Sequence, residues 1–424
     1  MYVLKLFVAC TLFARTLISA TSCDVVSICG AIADNSTNAA PFLSACVHAG
    51  GPCSAPNSTL IFPANAVFLS GSIDFSNTTN LTLSFMSGSA IFGSGDKNLY
   101  PLQQMLPPTN MPQLAQQWTA LIYARNVSGL TLEGQGVIDG LGWPWWQAFS
   151  NGSLIHQRPK LVEIIDGDRV TFRGLTFRNS PFWTLHTLYS RNVVFLGVTV
   201  TAPRSVGNTD GIDPDSCSDV LIQDCVIDVG DDAISLKSDF RVDPITGDVA
   251  LLPTERVIIR NTTVLWRNIA LGSSTFGNIT DVLIEGGRIG ADVDTHPTLW
   301  AIKIKTHTPF GGVVRNVTFR GTQLGTINGN AIDVLLSPYN NPIFPPNSPT
   351  PAASNYSDIS FIDMHVLRAH SAGSLRAESP FYIDRLTLSN VTIANANSSS
   401  TWDCARLSDT VAKDVKPPLP SACF

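Results

Sequence analysis

Charge is scarce in this 424-residue chain: 14% of its residues are Asp, Glu, Lys or Arg, and the 27 basic side chains do not outnumber the 33 acidic ones. The net charge of −6 excludes a general nucleic-acid binder, which needs a basic excess to neutralise phosphates. A hydrophobic share of 44% excludes a disordered tail. Beyond the N-terminal leader there is no run of about 20 uninterrupted apolar residues, the length of a spanning helix, so no membrane span is expected. Cys-x-x-Cys and paired His-Cys spacings are missing too, which argues against a thiolate metal site; neither metal nor other cofactor is expected. Helical i, i+3, i+4 patterning is rare.

What is present begins with M-Y-V-L-K-L-F-V-A-C-T-L-F-A-R-T-L-I-S-A, a lysine ahead of a short apolar core ending on small residues. This reads as a secretory signal over residues 1–20, with Arg15 interrupting the pattern. Its removal takes Cys10 and leaves an even set: Cys23, Cys29, Cys46, Cys53, Cys217, Cys225, Cys404 and Cys423. An even set in a secreted chain favours disulfides. The grouping suggests bridges among the first four, a Cys217–Cys225 pair and a Cys404–Cys423 pair. Twelve Asn-x-Ser/Thr sequons, from Asn35 to Asn397, add to the expectation of a secreted, extracellular glycoprotein.

Aligned against itself, the chain yields one short pattern many times: a polar residue, an apolar anchor, any residue, another apolar residue. The anchors are Leu130, Val170, Val193, Val220, Val257, Val282, Val317, Ile359 and Leu386, spaced 23 to 42 residues apart. Period-two alternation with β-branched residues is strand chemistry. A strand unit recurring at this interval cannot bury its apolar face alone, so copies must stack. The fold expected is all-β: a single right-handed parallel β-helix over residues 21–424, one coil per repeat, with disulfide-bearing caps at both ends, and a monomer. A second strand series, around Leu185, Ile212, Ile234, Leu271, Ile302 and Ile332, runs in step with the first. Its outward side chains would line one face, coil above coil at about 4.8 Å.

Asp210, in N-T-D-G-I-D-P-D-S, precedes Asp231 and Asp232 of V-G-D-D-A-I-S-L-K-S by 21 and 22 residues, about one coil. Alone, an Asp pair after glycine is turn chemistry. With Asp210 on the neighbouring coil, three carboxylates share a patch, and like charges so close cannot all ionise normally. One acid beside one or two bases is what glycosidic hydrolysis needs. Lys303 and Lys305, two apart in A-I-K-I-K-T, face the same way and suit an anionic sugar. Trp143, Trp145 and Trp146 of W-P-W-W are either sugar-stacking residues or core.

N-T-D, G-D-D and I-K-I-K-T, in this order and spacing, resemble the N-T-D, D-D and R-I-K motifs of glycoside hydrolase family 28, the polygalacturonases. The stretches from Gly134, Asn179 and Ala202 resemble its "probable polygalacturonase" branch. The resemblance implies that Asp231 is the general acid, that Asp210 and Asp232 activate water with inversion, and that Lys305, Lys303, Arg267, Asn208 and Tyr339 contact a pectic substrate. Two departures stand out: the motif arginine is Lys303, which loses the planar fork, and Arg267 in W-R-N-I-A-L-G-S stands near the position of the family's G-H-G histidine. His186 is either a replacement imidazole at the substrate or a satisfied buried histidine. The branch likeness, and K-S after the aspartate pair, point toward attack at chain ends. Other readings are a hydrolase of rhamnogalacturonan or substituted pectin, a calcium-dependent lyase, and an impaired pectin-binding β-helix.

Overall fold

The computed structural model describes residues 21–106, 115–291, 297–308, 311–340, 356–379, 381–394 and 402–424, with the side chains of 307, 308 and 337–340 outside the description. The leader at 1–20 and the sequons at Asn355 and Asn397 also lie outside the described residues.

Among the described residues thirty-one strands join into one sheet that winds from Thr21–Asp24 to Val411–Lys416. Each strand pairs in parallel with strands of the coils before and after it, as in the pairs Arg191–Leu196 with Ser218–Gln223 and Ile212–Asp215 with Ile234–Ser238. This is the right-handed parallel β-helix expected from the repeat. The repeat's anchors lie side by side: Val170 pairs with Val193, Val193 with Val220, Val220 with Val257, Val257 with Val282, Val282 with Val317, Val317 with Ile359, and Ile359 with Leu386. All are essentially buried, because each coil can hide its apolar face only against the next. Aromatic residues stack in the same way, Phe62 on Phe85 at 4.1 Å and Phe172 on Phe195 at 4.8 Å between ring centroids.

The polar residue before each anchor turns the chain. Gly129, Arg169, Asn192, Asp219, Arg256, Asp281, Asn316, Asp358 and Arg385 all have φ between 50° and 75°, a left-handed conformation that short polar side chains tolerate best. These residues bind one another along the stack. Asn316 Nδ2 donates to Asp281 Oδ1 at 2.7 Å, and Arg256 Nε and Nη2 donate to the two carboxylate oxygens of Asp219 at 2.8 and 2.9 Å.

In the second series Leu185, Ile212, Ile234, Ile269, Ile302 and Ile332 are in register. They point inward and leave alternate positions facing out. Those outward columns run through Glu163, His186, Asp213, Ser235, Lys303 and Asp333, and through Asp215, Lys237, Lys305 and Leu335.

The two ends are closed. Helix α1 (Ala40–Val47), opened by a proline in its first turn, buries Leu43, Cys46 and Val47 over the first coils. Bridges Cys29–Cys46 and Cys23–Cys53 staple it, and Cys404–Cys423 ties the last strands to the C-terminus. The expected Cys217–Cys225 bridge is absent: both are free, buried thiols. They flank the six-residue strand Ser218–Gln223, which extends for about 20 Å, whereas a disulfide needs Cα atoms within about 7 Å. No helix among the described residues is long and apolar enough to cross a membrane.

Candidate active site

Two turns that lead into the second strand series carry the aspartates. Gly211 N donates to Asp232 O and Ile212 N to Ala233 O, both at 3.0 Å, which sets Asp210 one coil before Asp232, about 4.8 Å along the stack. Glycine is required at 230 because a Cβ there would meet Val206 O at 2.0 Å. The glycine of G-D-D therefore lets the two turns touch and brings the carboxylates together.

Asp210 and Asp232 are buried at 5% and 8% exposure, while Asp231 keeps a partly open face. Lys305 Nζ lies 2.9 Å from Asp232 Oδ2, and Asn268 Nδ2 donates to Asp232 Oδ1 at 3.0 Å. Asp231 Oδ2 accepts from the backbone N–H of Asn208 at 2.8 Å. Burial opposes ionisation of Asp232, but Lys305, Lys237 and Asn268 outweigh it and hold this carboxyl below its ordinary range. Asp210 goes the other way: burial, then the charges of Asp213, Asp231 and Asp232, push it well above that range, with Lys237 opposing. Within the cluster, Asp232 is therefore held ionised while Asp210 favours its proton, as expected where like charges crowd one patch.

Around this centre Asn208 is exposed, and its Oδ1 accepts from Arg158 Nη2 at 3.0 Å. Arg267 Nε donates to Gly230 O at 2.8 Å, so it supports the aspartate turn. Lys303 stands over the Trp300 ring at 4.1 Å, its pKa lowered by burial and by Lys305. Tyr339 belongs to the strand Gln323–Asn340, but its side chain lies outside the described residues. Of the tryptophans, Trp145 is core, Trp143 is exposed, and Trp146 donates its indole N–H to Ser180 O at 3.0 Å. Trp143 and Trp146 line a cavity of about 410 Å³ with Phe149, Arg158 and Gly207.

Of the two readings of His186 the structure supports the buried one and corrects its placement at the substrate: it is fully buried, Nδ1 3.2 Å from Glu163 Oε1 and Nε2 3.5 Å from Asp215 Oδ2. Its coil carries it to the outer surface of the sheet, but the loop holding Trp183 packs 5.2 Å from it. His186 belongs to a layer of buried ionisable side chains whose other members sequence reasoning missed. Lys160 is paired with Glu163, whose carboxyl is disfavoured by burial yet held down to about 2 by Lys160 and His186. Lys237 is paired with Asp213 at 2.5 Å. Asp239 is pushed up by burial and by Asp215. The available signal was the alternation itself, which puts every second residue of V-E-I-I, L-H-T-L, I-D-P-D and I-S-L-K on the outer face.

The outer face of this parallel β-helix thus carries a cluster of carboxylates and lysines, set by the register of successive coils. The chain belongs to glycosyl hydrolases family 28, whose sequence model matches residues 59–413. A "Probable polygalacturonase" of Vitis vinifera is 35% identical over 266 residues, covering 61% of this chain and 52% of the grape protein. "Exopolygalacturonase A" of Aspergillus niger is 29% identical over 216 residues, covering 48% of this chain and 45% of the other. The chain thus spans about half the length of these relatives. The fold is that of the family 28 exopolygalacturonase of Yersinia enterocolitica, with a TM-score of 0.72 at 19% identity over 95% of this chain and 77% of that one. The Thermotoga maritima exopolygalacturonase gives a TM-score of 0.69 at 19% identity, over 93% and 92% of the two chains.

Proposed function

We propose that this protein is a secreted hydrolase of pectin that cleaves α-1,4 bonds between galacturonate units with inversion, acting from chain ends. The observation that carries the reading is the cluster of Asp210, Asp231 and Asp232 across two coils, with Lys305 tied to Asp232. Asp231, at the open end, protonates the leaving glycosidic oxygen. Asp232, kept ionised by Lys305, takes the proton of the attacking water, and Asp210 beside it completes the base when it ionises. Water attacks the anomeric carbon as the glycosidic bond breaks, so one hydroxyl is added and one proton passes from Asp231 to the leaving sugar. Lys303, Lys305 and Asn208 are the side chains that meet the substrate, the lysines facing its carboxylates. The grape and Aspergillus relatives, both named as polygalacturonases, support the substrate class, and the second of them supports exo action. The disulfides fit an oxidising compartment.

The test is incubation of the protein and its Asp231→Asn variant with polygalacturonate and with rhamnogalacturonan. Polygalacturonate should release reducing ends as short products from the start, with the new end appearing as the inverted anomer by NMR. Asp231→Asn should lose about 10²- to 10⁴-fold in kcat. Ultraviolet-absorbing products that vanish on calcium chelation would instead mean elimination. Binding of either polymer without any reducing ends would sink the hydrolase reading.

A further inference from the structure

Lys237, the lysine of the K-S that follows the aspartate pair, is a fully formed part of the centre. It sits in the strand Ile234–Ser238, in register with Asp215 of the previous coil. Its side chain is 9% exposed, and its ammonium reaches back under the turn, 2.5 Å from Asp213 Oδ1 and 3.5 Å from Asp210 Oδ2. The Trp183 ring covers it at 4.4 Å. Asp210 Oδ1 and Asp213 Oδ2 have no hydrogen-bond partner among the described residues. One ammonium therefore serves two buried carboxyls.

We infer that Lys237 is a positioning residue for the reaction: its single charge is divided between Asp213 and Asp210, and that division fixes the charge state in which Asp210 meets the attacking water. This rests on the hydrolase reading above. The physical reason is charge counting. Two carboxylates and one cation in a low-dielectric pocket leave one negative charge uncompensated, and the carboxyl farther from the ammonium keeps its proton. That carboxyl is Asp210. The other groups facing the pair are Asp232 with its partner Lys305, Asp231 and Arg158 beyond Asp210, His186 against Asp213, Asp215 on the same strand as Asp213, and Asp239 just past the end of Ile234–Ser238. None of the cations among them lies within ion-pair distance of Asp210 or Asp213, so Lys237 is their one direct counter-ion among the described residues.

The inference predicts opposite displacements from two substitutions. Lys237→Met removes the cation and should move the acid limb of the kcat profile upward by about 1 to 3 pH units, the range of an opposite charge at this distance. Asp213→Asn removes the competitor, frees the ammonium for Asp210 and should move the limb downward. The double variant, neutral at both positions, should return most of the way to wild type. KM should change little in all three, because none touches substrate. A lysine that merely held the fold together would lower the melting temperature and leave the limb where it was. The same displacements are read without turnover from the ¹³C carboxyl resonance of Asp210, assigned by its loss in Asp210→Asn. If the wild type fails to hydrolyse any pectin, the hydrolase reading falls while this titration still decides the role of Lys237. If Lys237→Met does not fold, Asp213→Asn and the double variant carry the test. Folded variants with an unmoved acid limb and an unmoved Asp210 resonance overturn the inference.

Discussion

Asp210 is the residue on which the centre's chemistry and its stability disagree. A buried carboxyl whose pKa is raised binds its proton more tightly folded than unfolded. Its contribution to stability is therefore greatest at low pH and is lost as pH rises from the ordinary carboxylate range through the folded value. Asp210→Asn should then cost most of the activity yet raise the melting temperature at pH 7. The gain should shrink toward zero near about pH 3, where Asp210 is neutral in both states. A gain that grows on acidification would contradict the assignment. The three aspartates were legible in the sequence because their spacing equals one coil. Lys237, Asp213 and Glu163 were not: alternation predicts that they face outward, and outward ordinarily means solvent. Trp183 over Lys160, His186 and Lys237, with Gln103 and Gln117 on Glu163, turns an exposed face into a buried layer of ionisable groups.

At the scale of the strand and its turn, the repeat read from sequence became the register of the sheet, anchor against anchor from Val170 to Leu386. The polar residue before each anchor, which served only to mark the pattern, is the one that adopts left-handed φ. Asp281 tests this. Both Asp281→Ala and Asp281→Gly lose the bond from Asn316, so the difference between them isolates the backbone. Alanine should be the less stable by about 1 kcal/mol, measured by denaturant unfolding; equal stability would remove the backbone argument. Where sequence reasoning failed at this scale, with Cys217 and Cys225, it treated eight residues as a short distance. In a helix or hairpin that holds, but an intervening extended strand carries the two thiols to opposite edges.

For the whole molecule, stability is a sum over neighbouring coils, and the ends are its weakest terms because a terminal coil has one neighbour and not two. The disulfides stand where that argument places them, two at the α1 end and one across the last strands. Replacing Cys404 and Cys423 together by serine should cost about 2 to 4 kcal/mol. Amide exchange should quicken first in residues 402–423 and leave the central coils protected. Uniform quickening along the chain would mean that the solenoid unfolds as one unit. The stacking of Asp210 under Asp232 has a consequence of its own. On this face the coil rise acts as a ruler with divisions of about 4.8 Å, and the carboxylates of neighbouring coils are set against its marks. Point substitutions can change which groups stand at those marks, but the interval between them can lengthen only by the gain of an entire turn of chain. A reaction geometry fixed in such steps resists gradual drift, and substrate preference is left to vary in the loops around it.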